Sequence, residues 1–316
     1  MRLGSLPSLD KLAACKRVLL IGAGGGFDIL SGIPLFHHLR NQGIEVFLAS
    51  LSFSDLSRAS GRWLTPKILE VLPEAGGDKS YFPEKYLSEW YARQGEKVPV
   101  YCFKATGAIN LKEIYLDLIK NLGIDGLVLI DGGTDSLMRG DEPGLGTPYE
   151  DMASIAAAYL VDIPVKLLFN LGFGVDVFHD VCHAYVLKAV AELTASGDFL
   201  GAFSLLPEMP EFRAFAEALD FIGTSMQGHE SIVGTSVIAA AHGHFGDFHT
   251  TPRTLGSKLF INPLMSMYWS FELNGVARRC LYLDYLLDTY NDWDMLRAIN
   301  NFRYTITPCE WIQIPL

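Results

Sequence analysis

The chain has 316 residues, a formal net charge of -11, and 49% hydrophobic against 19% charged residues. This length and apolar content support a large buried core, while the negative balance excludes broad nucleic-acid binding, which needs Lys and Arg to neutralise phosphates. No run reaches the roughly 18 apolar residues of a membrane helix, so the mean hydropathy of +0.21 points to a buried parallel sheet and a homo-oligomer interface.

Met1 to Asp10 lack the apolar region of a signal peptide. The cysteines Cys15, Cys102, Cys182, Cys280 and Cys309 form no CxxC pair. Both features predict reduced thiols and a cytoplasmic location.

Taken in order, the pattern predicts a strand at 17–21, a helix at 27–41 interrupted early by Gly32 and Pro34, and a strand at 45–52. Residues 55–97 are rich in Gly, Pro, Trp and Tyr and read as an irregular insertion, with a candidate helix at 83–94. Strands follow at 98–104, 126–131, 165–170 and 199–205, alternating with helices at 111–121, 149–160, 178–195 and 208–221. Residues 228–316 are a less regular elaboration: helical at 231–241 and 292–303, extended at 258–261, apolar and ambiguous at 278–287. The aromatic, sulfur-rich stretch 264–271 reads as core or interface. The expected fold is a single elaborated α/β domain: three layers, a mostly parallel Rossmann-like sheet with helices on both faces, and an irregular C-terminal portion.

The first strand runs into Gly22-Ala23-Gly24-Gly25-Gly26 before a helix. Glycines let an anion approach the backbone, and a helix start aims N–H groups at it. Gly22, Gly24, Gly25 and Gly26 are therefore candidate phosphate-binding positions. Asp28 either caps the helix or bonds a ribose hydroxyl or ligand amine. Phe27 replaces the last glycine of G-x-G-x-x-G, and no Gly-Lys-Ser/Thr follows. The segment Gly22-Ala23-Gly24 to Gly32-Ile33-Pro34 resembles the sirtuin nucleotide-binding signature, which implies a dinucleotide-binding layout. Leu35 and His37 replace that family's acid and arginine, and its zinc cysteines are missing, so deacylation is not implied.

A second feature follows the strand at 126–131. Asp131 ends an apolar run at the edge where open α/β sheets bind ligands. Gly132 and Gly133 allow close approach, and Thr134, Asp135 and Ser136 offer polar contacts. Arg139 is suited to gripping a phosphate, and Asp141 and Glu142 add carboxylates. Such acids fit either a divalent cation held through oxygen or a general base. Glu150 and Asp151 read best as helix-start acids. A third strand end repeats the theme with Gly172, Gly174 and Asp176. Three strand ends carrying Gly and Asp predict one shared pocket. Asp131, Asp135, Arg139 and Glu142 are its candidate catalytic residues. Gly22, Gly24, Gly25, Gly26, Asp28, Gly132, Gly133, Thr134, Gly172, Gly174 and Asp176 are its candidate ligand-binding residues.

The runs IGAGGGFDILSGIP, LIDGGTDSLMRGDE, LGTPYEDMAS and NLGFGVD resemble the domain-of-unknown-function family 1152 through most of the chain. The resemblance implies a shared fold and pocket and carries no mechanism. Beyond the residues above, its motifs take in Gly140, Glu150 and Asp151.

The histidines offer an alternative metal centre. His242, His244, Asp247 and His249 resemble the HxHxDH run of metallo-β-lactamase-like hydrolases, with one extra residue on either side of the Asp. His179 and His183, four apart, share a face of the expected 178–195 helix. His229 or Ser231 caps the 231–241 helix. No G-x-S-x-G elbow is present.

These readings favour an enzyme acting on a nucleotide or phosphorylated sugar by hydrolysis or group transfer, with a small phosphorylated ligand as its partner. The alternatives are an NAD-dependent oxidoreductase, a non-catalytic nucleotide sensor or assembly subunit, and a metal-dependent hydrolase using the histidine loop. The oxidoreductase needs an acid at the end of the second strand, and here Asp55 comes late. Nucleotide, NAD and divalent metal all stay open as cofactors.

Overall fold

The computed structural model describes residues 5–257 and 259–314. The first four residues of the N-terminal segment and Lys258 of the stretch 258–261 lie outside the described residues.

A short helix α1 (Pro7–Ala13) precedes β1 (Arg17–Gly22). In β1, Leu19 and Ile21 enter one core and Val18 and Leu20 the other. A strand covered on both faces must be apolar throughout. The chain then passes through a 3-10 turn, Asp28–Gly32, into α2 (Ile33–Asn41). The single helix expected at 27–41 is thus two pieces. Pro34 has no N–H to donate and is accommodated in the first turn of α2.

Next come β2 (Glu45–Leu51), the hairpin β3 (Arg62–Thr65) and β4 (Ile68–Val71), α3 (Pro83–Arg93) and β5 (Val100–Phe103). Residues 55–97 therefore hold the expected helix and also a hairpin that extends the sheet past β5. The alternation continues with α4 (Ala108–Leu122), β6 (Gly126–Asp131), α5 (Pro148–Tyr159), β7 (Val165–Leu171), α6 (His183–Ser196), β8 (Phe199–Ser204) and α7 (Pro210–Ser225). The C-terminal portion adds α8 (Ile232–Ala241), the short pair β9 (Gly246–Asp247) and β10 (Phe260–Ile261), and β11 (Met267–Glu272). It ends with α9 (Leu273–Arg279), α10 (Leu283–Leu286) and α11 (Asp292–Tyr304).

Nine strands form one sheet in the order β3-β4-β5-β2-β1-β6-β7-β11-β8. The central five, β5 to β7, are parallel, whereas β4 and β11 run against their neighbours. β11 is the main addition to the sequence reading. The aromatic stretch 264–271 is mostly this strand, wedged between β7 and β8 with Tyr268 and Phe271 fully buried.

Helices α4, α5, α6, α9, α10 and α11 pack on one face, and α1, α2, α3 and α7 on the other. The result is a three-layer, mostly parallel, Rossmann-like α/β fold. No helix among the described residues is long and apolar enough to cross a membrane. The strand order reverses between β1 and β6, which pair side by side. The loops leaving these two strands diverge and open a crevice at their carboxyl ends.

Candidate functional site

A crevice of about 230 Å³ occupies that reversal point. The glycine turn supplies Gly24, Gly25 and Asp28, and the loop after β6 supplies Asp131, Gly132 and Asp135. Thr147, Glu150 and Asp151 come from the start of α5, and Asp176 and His179 from the turn after β7. Phe53, Phe178 and Val233 complete the wall. The three strand ends therefore meet, as their shared Gly-plus-Asp pattern leads one to expect.

Four of these carboxylates have one oxygen held by a donor. Gly24 N–H donates to Asp28 Oδ2 at 2.6 Å. Asp131 Oδ2 accepts from the Ser136 hydroxyl at 2.5 Å and from Asn170 Nδ2 at 2.6 Å. Thr147 donates its N–H (2.8 Å) and hydroxyl (3.0 Å) to Asp135 Oδ2. Thr134 N–H donates to Asp176 Oδ2 at 2.7 Å. Asp151 differs. It sits on the first turn of α5, 1% exposed, and its Oδ1 is buried without a partner. The Ser154 hydroxyl anchors α5 to the glycine turn by donating to the Ala23 carbonyl at 2.7 Å. Ligand oxygens of Asp28, Asp131 and Asp151 all lie within 4.8 Å of one another, the only such group of three or more Asp, Glu, His or Cys among the described residues.

The glycines are small for a reason other than the one expected. A Cβ on Gly24 would stand 2.4 Å from Asp151 Oδ1 and 2.9 Å from Asp28 Oδ2. One on Gly132 would meet Asp28 Oδ1 at 2.9 Å, and one on Gly133 both oxygens of Asp176 at 2.9 Å. The space is filled by the protein's own carboxylates. The Gly24 N–H, expected to face an anion, is already engaged by Asp28. Gly22 packs on the backbone of Ile29, and Gly26 faces the Tyr81 hydroxyl and Phe53. Gly172 and Gly174 shape the turn after β7, against Val233 and His183, without lining the crevice. Thr134 holds Asp176 from behind.

Six carboxylates line the crevice, and among the described residues no Lys or Arg does. Burial raises the Asp28 carboxyl from 3.8 to about 7, against the pull of the Gly24 and Gly132 N–H groups. Burial likewise lifts Glu150 to about 7. Asp131, Asp151 and Asp176 are pushed well above the usual range, first by burial and then by their neighbours' charges. Charges crowded this way must be neutralised by protons or by a cation.

Arg139 and Glu142 leave the candidate set. The Arg139 guanidinium forms a two-point pair with Asp141 (2.8 and 2.7 Å) and reaches Glu192 on α6 at 3.5 Å. Glu142 is fully buried, accepts the N–H groups of Arg139 and Gly140, and faces Arg279 on α9. After its 3-10 turn at Asp135–Leu137 the loop turns onto α6 and α9, so these side chains fasten it instead of entering the crevice. Arg139→Ala should leave the crevice intact and lower stability in a thermal melt. Its loss of half-buried pairs should cost about 1 kcal/mol, a melting point lower by a few degrees.

The histidines also separate. The chain from Val175 to His179 is a 3-10 turn, Asp180 adopts φ 63°, and α6 begins only at His183. His179 and His183 therefore share no helix face: His179 lines the crevice, while His183 Nε2 contacts the Gly174 carbonyl at 3.2 Å. His242 packs edge-on to Phe212, His244 stacks on Phe248, and His249 contacts Thr254 (2.9 Å) and Asp247 (3.1 Å). These four side chains do not gather at one centre. Ser231, not His229, caps α8, accepting from Gly234 N–H at 3.0 Å.

Asp151 is the first-turn acid of α5 that local reading expects, and it also lines the crevice, which that ordinary position does not announce. Topology carried the missing signal. The helix after β6 starts on the rim where β6 ends, so acids in its first turn face the same crevice.

The model of the family described as Protein of unknown function (DUF1152) matches residues 87–307. The match covers β6, the acidic loop, α5 and the turn after β7, and it begins after the glycine turn and Asp28. No curated protein and no solved structure matches the chain. With more than half of its residues inside that match, the chain belongs to the DUF1152 family.

Proposed function

We propose that this protein is a divalent-cation-dependent enzyme that hydrolyses or transfers a group on a small phosphorylated substrate. The observation that carries this is the carboxylate trio of Asp28, Asp131 and Asp151, with the Asp151 Oδ1 buried and unpartnered. An all-oxygen donor set suits a hard cation such as Mg2+ or Mn2+. A buried carboxylate oxygen without a donor is costly, and a cation both satisfies it and offsets its neighbours' charge.

Among the described residues the lining lacks Lys and Arg, so a phosphoryl group entering it needs a cation to meet its charge. When bound, the ion supplies that charge neutralisation and Lewis acidity. The protein's own part is positional and acid–base. Ser136 and Asn170 fix one oxygen of Asp131 and leave the other to the crevice. Glu150, lifted to about 7 and lining the crevice outside the trio, is placed to accept a proton from an attacking water or hydroxyl. Hydride transfer has less support: past the end of β2 the crevice wall is Phe53, where a nicotinamide site needs an acid.

The test is Mn2+ calorimetry on the full chain, combined with phosphate-release assays on nucleoside phosphates and sugar phosphates with and without Mn2+. Cation-dependent release that disappears in Asp131→Asn is expected. Mn2+ binding without turnover on any of these substrates would favour the sensor reading. No Mn2+ binding at millimolar concentration would remove the proposal.

A further inference from the structure

We infer that a separate groove over the carboxyl ends of β2 and β5 binds the organic head of the substrate, and that the substrate is a nucleoside di- or triphosphate. This rests on the cation site proposed above for the phosphate end. The groove measures about 510 Å³, within the roughly 300–1,000 Å³ typical of small-molecule sites. The acidic crevice, at about 230 Å³, falls below that range and suits only the reacting end of a ligand.

The groove supplies what the crevice lacks. Trp63, on β3, lines it at 45% exposure, a flat aromatic surface on which a base can stack. Leu56, Pro66 and Ile114 add apolar wall. Two lysines line it as well. Lys67 is already paired with Glu113 at 2.6 Å and bonded to Asn110 at 3.3 Å. Lys104, just past the end of β5, is exposed and makes no hydrogen bond or ion pair within the described residues. It brings a positive charge, felt by the Asp55 carboxylate, to a groove beside a crevice that has none among the described residues.

The two cavities adjoin along the chain, since Phe53 walls the crevice and Leu56 the groove. β2 alone separates β5 from β1. At about 4.8 Å per strand, the inner end of the groove, just past β5, lies roughly 10 Å from β1, and the groove extends outward from there to Trp63 on β3. Asp55, which falls between these wall residues, is occupied by the Ser57 hydroxyl at 2.5 Å and by Arg58 at 3.2 Å.

The experiment titrates ADP, adenosine and pyrophosphate into the full chain with Mn2+, reading tryptophan fluorescence and heat. ADP and adenosine should quench the fluorescence, and pyrophosphate should not. Trp63→Phe should lose the quench while keeping ADP affinity within about threefold. Lys104→Glu should weaken ADP at least tenfold and leave the affinity for Mn2+ alone unchanged. Asp151→Asn should lose Mn2+ yet keep the adenosine quench, so the groove and the cation site fail separately. Mn2+ binding without any ADP or adenosine response overturns the groove, as does ADP affinity indifferent to Lys104→Glu. An adenosine quench that needs Trp63 in a protein that does not bind Mn2+ retains the groove and removes the cation site.

Discussion

Asp151→Asn should raise the melting temperature of the metal-free protein and abolish its response to Mn2+. In the wild type a buried carboxylate faces Asp28 and Asp131, with one oxygen unpartnered. Asn keeps the shape, removes the charge and brings an N–H donor toward acceptor-only neighbours. Relief of repulsion and desolvation should add roughly 1–2 kcal/mol to the metal-free state. In the wild type, a cation at a hundred times its Kd stabilises by about 2.7 kcal/mol, which corresponds to a rise of roughly 5 °C for a chain of this size. Calorimetric scans with EDTA and with Mn2+ read both effects. A variant that melts lower without metal, and still gains from Mn2+, would contradict the assignment. A site that costs stability until it is filled is the usual signature of function over folding.

The second large effect is on pH. The Asp28 and Glu150 carboxyls stand near 7 in the fold, against ordinary values of 3.8 and 4.5. Between about pH 4 and pH 7 the native state therefore holds more protons than the unfolded chain. Their contribution is fully present below about pH 4 and is lost as pH rises through about 7. The metal-free protein should melt higher at pH 5 than at pH 8, by at most roughly 5 kcal/mol of stability from these two groups. Asp141 and Glu113, held low by Arg139 and Lys67, titrate below this window. His37 and His183, pushed down by burial, act in the opposite sense only up to about pH 6.5. Asp28→Asn should shrink the drop. Because Mn2+ displaces the same protons, its affinity should tighten as pH rises, with proton release visible in buffers of different ionisation heat. A metal-free melting point that climbs from pH 5 to pH 8 in the wild type would oppose this account.

Pyrophosphate and base recognition, if divided as inferred, explain why one rim carries two unlike cavities. On that proposal the acidic crevice at β1 and β6 would handle charge through a cation, and the groove past β5 would handle shape and the remaining charge through Trp63 and Lys104. Neither cavity alone has both features.

Much of the fold could be read directly. β1, β6 and β7 lie between two helical layers, so nearly every residue in them is apolar, and the helices between them carry the period of a one-sided contact. Asp131 stands out because it is the first polar residue after such a run, and Asp176 and Asp28 follow the same logic at neighbouring strand ends. β11 was harder to see. It runs antiparallel and needs no helical crossover, so its aromatic residues resemble any buried segment. Asp151 is both the expected first-turn acid of α5 and a wall of the crevice, and Arg139, expected in the pocket, pairs with Asp141 instead.

Burial periodicity is written in consecutive residues, and it set the layers, the parallel centre of the sheet and the rim where polar side chains collect. The sign of the charge at that rim is written nowhere locally. It arises only when positions 28, 131 and 151 are folded against one another, since Coulomb and desolvation energies depend on distance and burial in space. A glycine beside an aspartate looks the same in a string whether it makes room for an incoming phosphate or for a resident carboxylate, and only the tertiary structure chose the carboxylate here.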